Sequence, residues 1–125
     1  MLFGGSQAGL GRRDLPGPAQ LATVRRQVRV PIVHAWRIDV PAASAHALAA
    51  GLEGIFRARA ATRLANPLYD LAFVHHPAPY SAWHNSNHVT GQWLRALGCE
   101  VRMGGPFSVW RVTPPRDPGA PERNR

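Results

Sequence analysis

Between Pro41 and Phe56 the residues Ala45, Leu48, Leu52, Ile55 and Phe56 recur at three- and four-residue steps. That period gathers side chains into one stripe along an α-helix. Pro41 opens the segment, where its missing N–H does no harm. A helix with an apolar stripe must cover it with another layer, and the strand-like segments around it supply a sheet. Gly51 and Gly54 weaken this helix by roughly 1 kcal/mol each relative to alanine, and close packing against the sheet is the expected reason. Arg57, Arg59 and Arg63 follow near its carboxyl end, where cations suit the helix dipole.

The flanking segments complete a small α+β pattern. Residues 28–40 read as a strand, with Ile32, His34, Trp36, Ile38 and Val40 on one face and Arg37 and Asp39 on the other. Pro31 denies a backbone donor there, which suits an edge or the start of a strand. Asn66-Pro67 is a turn, Leu68 to Val74 a short apolar segment, and His75 to Pro79 a loop. A second helix is expected from about Asn87 to Leu97, with Trp93, Leu94 and Leu97 inward and Gly98 as its stop. After the Gly104-Gly105-Pro106 turn, Phe107 to Val112 alternates like a closing strand. The expectation is one α+β domain over residues 23–112, a small mixed or antiparallel sheet with two packed helices. Residues 1–22 form a loose amino-terminal arm. Residues 113–125, with four prolines among charges, form a disordered Pro/Arg-rich tail.

Length and composition support this size of core. A chain of 125 residues fits one domain, and 45% hydrophobic content suffices to fill it. No apolar run approaches the ~18 residues of a membrane span. Met1 to Ser6 lacks a basic segment followed by an apolar one, so the location expected is cytoplasmic; a true start upstream of Met1 would allow export. The single cysteine, Cys99, cannot form an internal disulfide and reads as a small packing residue. His75-His76 and His84 with His88 are paired without a supporting third ligand, so neither a metal nor any other cofactor is expected.

A formal charge of +8 invites a nucleic-acid reading. All 15 basic residues are arginine, in a chain rich in Ala, Gly and Pro, a bias that GC-rich coding produces without selection for phosphate binding. The densest cluster is Arg25, Arg26 and Arg29, with Arg12-Arg13 upstream. No aromatic residues interleave with it as a base-stacking platform requires. Nucleic acid stays a possible but unfavoured partner, against the plainer alternative of a solvated basic surface.

The most chemically suggestive segment is Asn85-Ser86-Asn87, where a loop ends and the second helix begins. A side chain at that tip faces N–H groups with partial positive charge. The location can activate a nucleophile or hold an oxyanion. It can equally serve as a cap, for which Ser and Asn are among the best residues.

The run from Tyr80 to Gly98 resembles the carboxyl-terminal motif of an uncharacterised bacterial family often noted near urease genes. That pattern has a tyrosine, then Thr-Cys-Asn, a tryptophan, and a helix ending Leu-Arg-Ala-Ala-Gly. Tyr80, Asn87, Thr90, Gly91, Leu94, Arg95, Ala96 and Gly98 match it. Phe3-Gly4-Gly5, Val33-His34 and the Pro41–Phe56 helix resemble it more weakly. The family is similar to circularly permuted papain-like domains, the architecture of lecithin retinol acyltransferase and related amidases. The resemblance implies a permuted papain-like fold, incomplete here because the chain begins after the family's first histidine-bearing strand. It places the cysteine position on Ser86 and the tryptophan position on Val89.

Serine in place of cysteine changes the chemistry. A hydroxyl is a far weaker acid than a thiol, and needs a close general base and an oxyanion hole. His34 precedes Ser86 as the permuted order requires and is the best base; its other reading is a buried, hydrogen-bonded histidine. Asn85 or Asn87 would orient or hold the oxyanion, with His84, His88 and Tyr80 further out. The first reading is a degenerate, catalytically silent papain-like domain that keeps a cleft for a peptide, lipid or protein. The alternatives are a working serine hydrolase or acyltransferase using Ser86 and His34, and a basic nucleic-acid-associated module.

Overall fold

The computed structural model describes residues 6–81, 84–104 and 109–116. It divides into two units, which are taken in turn: residues 6–37 with 52–81, and residues 38–51 with 84–104 and 109–116.

The first unit is organised on β3 (Leu71–His75), which pairs antiparallel with β1 (Gly9–Arg12) on one side and β2 (Leu64–Asn66) on the other. Alternation along β3 gives the sheet two distinct faces. Val74, only 1% exposed, sits opposite Leu10 on one face. Phe73 points the other way and lays its ring across β1, opposite Gly11. A methyl group built on Gly11 would stand 2.8 Å from the Phe73 ring, and one on Gly9 would stand 3.2 Å away. These glycines therefore give the ring its room, the close approach that glycine in a strand often marks.

The β2–β3 connection confirms the turn at Asn66-Pro67. Asn66 Oδ1 accepts from the Leu68 N–H at 3.0 Å and the Tyr69 N–H at 3.4 Å, the Asx geometry that stands in for a backbone turn. Asp70 closes it at φ +53°, a left-handed conformation that aspartate tolerates better than most residues. Around this sheet lie α1 (Leu21–Gln27), a 3-10 turn (Ala60–Thr62) and the second part of α2 (Ala42–Ala58). Thr23 and Phe56 are buried here.

In the second unit, α2 contributes its residues up to Gly51. The Pro41 carbonyl accepts the first helical bond, from the Ala45 N–H at 3.1 Å. α3 (Ser86–Ala96) packs against β4 (Glu100–Gly104), which pairs antiparallel with β5 (Val109–Thr113). Gly98 ends α3 at φ +88°. Its N–H reaches the Arg95 carbonyl at 2.9 Å while the Cys99 N–H reaches the Leu94 carbonyl at 3.0 Å. That pair of bonds is the Schellman arrangement, in which a left-handed residue closes the helix end. Cys99, buried, follows directly.

The α+β reading holds, with corrections of detail. Among the described residues there are three α-helices, not two, and the strands pair only antiparallel, in a three-stranded and a two-stranded sheet. Residues 28–40, expected as a strand, form none. Their alternation supplies two faces but no neighbouring backbone, and Pro31 and Pro41 remove donors at both ends. Val33 and Trp36 stay outside, 75% and 80% exposed, while Ile32, Ile38 and Val40 are partly buried. Conversely, residues 9–12 of the expected loose arm form β1, and the arm's last two residues, Leu21 and Ala22, already belong to α1. Gly51 and Gly54 are not needed for packing, since a methyl group on either would meet no atom within 4 Å. The closing strand begins at Val109; residues 107 and 108, the Phe3-Gly4-Gly5 match and tail residues 117–125 lie outside the described residues.

Candidate functional site

The tip of α3 is built by the Asn85-Ser86-Asn87 segment. Asn85, extended at φ −124° and ψ −179°, is the capping residue. Its carbonyl accepts from the Val89 N–H at 3.1 Å, the first helical bond. Its side-chain Oδ1 accepts from the Asn87 N–H at 3.0 Å and the His88 N–H at 3.2 Å. His88 Nδ1 lies 3.3 Å from the same oxygen. Ser86 is the first helical residue and is exposed; its carbonyl accepts from the Thr90 hydroxyl at 2.8 Å. The two first-turn amides that an oxyanion would seek are thus held by Asn85. Capping of this kind satisfies donors that the helix itself leaves open.

The other expected site residues are distributed over both units. His34, in the first, is exposed on the unpaired segment 31–40, with its ring 5.7 Å from that of Trp36. This corrects the expectation of an apolar strand face for His34: without a sheet there is no face to bury it. Tyr80, also in the first unit, is half exposed and forms an isolated antiparallel bridge with Ser6, donating its N–H to the Ser6 carbonyl at 2.8 Å. His84 and Asn87 are partly buried in the second unit. His76 Nδ1 lies within 3.1 Å of both the Ala78 N–H and carbonyl, a local loop contact. Among the described residues, no three His, Cys, Asp or Glu side chains are placed to hold a metal ion. No helix among them is long and apolar enough to cross a membrane.

The first unit holds a second feature, a cavity of about 870 Å³ over Phe56. Arg12 is one of its lining residues. It forks onto Asp14 at 3.2 and 3.3 Å and reaches Glu53 at 2.7 Å. These contacts raise its pKa, first through the hydrogen bonds to Asp14 and then through the charges of Asp14 and Glu53. Arg57 meets the other Glu53 oxygen at 3.4 Å, and Arg13 meets Asp70 at 3.1 Å. Arg63 has no carboxylate among the described residues. Its guanidinium carbon sits 5.9 Å from the Phe56 ring centroid, and that of Arg12 sits 5.2 Å from it. Both are within the range at which a cation is drawn to a ring face.

The cavity was not legible as a site, because its charged residues come from segments some forty positions apart in sequence. One local signal was available: Glu53 and Arg57 stand four apart on α2, the spacing of a helical ion pair. The structure also shows where some of the basic surplus goes. Arg12, Arg13 and Arg57 bind carboxylates, and Arg29 of the suspected cluster donates to the Pro67 carbonyl at 3.0 Å.

No family model matches the chain, and neither does any curated protein or solved structure.

Proposed function

We propose that this chain is a non-catalytic α+β binding domain of degenerate papain-like type, in which the α3 tip is a structural cap. The observation that carries this reading is the position of Asn85. Its side-chain oxygen accepts from the amides of Asn87 and His88, the groups that would otherwise stabilise negative charge at a nucleophile site. Ser86, next along, is a solvent-exposed hydroxyl on the first turn. A serine without a close base and an available oxyanion hole is a poor nucleophile. In this reading the domain acts by holding a peptide, lipid or protein.

A fluorophosphonate probe tests this. The wild-type chain should stay unlabelled under conditions that fully label a control serine hydrolase. Labelling of wild type that disappears in Ser86→Ala would establish the serine-enzyme alternative in its place.

A further inference from the structure

We propose that the cavity over Phe56 binds a small organic carboxylate with an apolar body, the carboxylate being taken by Arg63. The cavity's charges lead there. Arg12, Arg13, Arg57 and Arg63 face Asp14, Glu53 and Asp70: four positive groups against three negative, a surplus of one. Three of the arginines are engaged, Arg12 with two carboxylates, Arg13 with Asp70 and Arg57 with Glu53. Arg63 is the one left over, held against Phe56. A guanidinium offers a planar fork that matches a carboxylate oxygen for oxygen. A single negative charge neutralises the surplus. A phosphate monoester carries about −1.5 to −2 at neutral pH and would overshoot it.

The remaining walls define the rest of the ligand. Pro16, Ala65, Pro67, Leu71 and Ala72 line the cavity with apolar surface. Its volume of about 870 Å³ is within the size of pockets that take small organic molecules. An apolar body against those walls, with its anionic end at Arg63, uses both kinds of lining. The site belongs to the first unit and does not rest on the papain-like reading. Labelling of Ser86 by the fluorophosphonate probe would leave it standing.

Calorimetric titration of the full chain with sodium octanoate tests the proposal. Saturable one-site binding is expected. Octanamide, which keeps the body and loses the charge, should bind at least about tenfold more weakly, as should Arg63→Gln with octanoate. Tenfold corresponds to losing one hydrogen bond to a charged group. Arg102→Gln, an exposed arginine of the second unit, should bind octanoate within about twofold of wild type, the spread expected of a surface change away from the site. If Arg63→Gln does not fold, thermal stabilisation of wild type by octanoate and not by octanamide decides the matter. Absence of octanoate binding, equal affinity for octanamide, or unchanged affinity in folded Arg63→Gln would overturn the assignment. Tighter binding of inorganic phosphate than of octanoate would also overturn it.

Discussion

The α3 tip and the Phe56 cavity both gather polar groups, yet they differ in what remains unsatisfied. At the tip, one amide oxygen of Asn85 collects the Asn87 and His88 N–H groups. In the cavity, three carboxylates face four guanidinium groups, and Arg63 is left with an aromatic ring as its neighbour. The difference teaches that residue type is a poor guide to spare binding capacity. A Ser-Asn turn looks chemical but is closed on itself. A scatter of arginines looks like surface charge but retains an open valence.

Substitutions can break or sharpen that contrast. The largest effect belongs to Phe56, 7% exposed and the shelf on which Arg12 and Arg63 rest. Phe56→Ala should destabilise the chain by about 3–5 kcal/mol in urea unfolding, the usual range for a buried phenylalanine. A cost under about 1 kcal/mol would mean that the cavity has no fixed floor, because the ring would then be a surface group. A smaller effect is expected at the tip. Asn85→Ala should cost about 1 kcal/mol, the typical value of a lost helix cap. Smallest is Ser86→Ala, which should stay within about 0.5 kcal/mol as an exposed first-turn change. Reversal of these last two would show that the serine, and not the asparagine, organises the turn.

What could be read from sequence followed how local the physics is. The α2 stripe was legible because helical burial repeats along one segment: Leu48, Leu52 and Ile55 are partly buried and Phe56 is buried. The ends of α3 were legible for a similar reason, since Asn85 and Gly98 act on backbone groups within a few residues. Strands depend on a partner elsewhere in the chain. Ile32 to Val40 has the alternation of a strand and remains unpaired. Gly9 to Arg12 reads as a loop, yet it pairs with β3 because its glycines admit the Phe73 ring. The charges of the cavity were hidden by the same rule. Arg12 and Glu53 meet across 41 positions, and nothing in either local segment announces the other.

Amide hydrogen exchange at Asn87 and His88 tests most directly whether the helix tip is already closed. Helix-opening amides usually exchange freely unless something accepts from them. The expected result is protection of both in wild type and in Ser86→Ala, lost together in Asn85→Ala. Free exchange of both amides in wild type, or loss of their protection on removing the serine hydroxyl alone, would contradict the cap and return Ser86 to consideration as a reactive group.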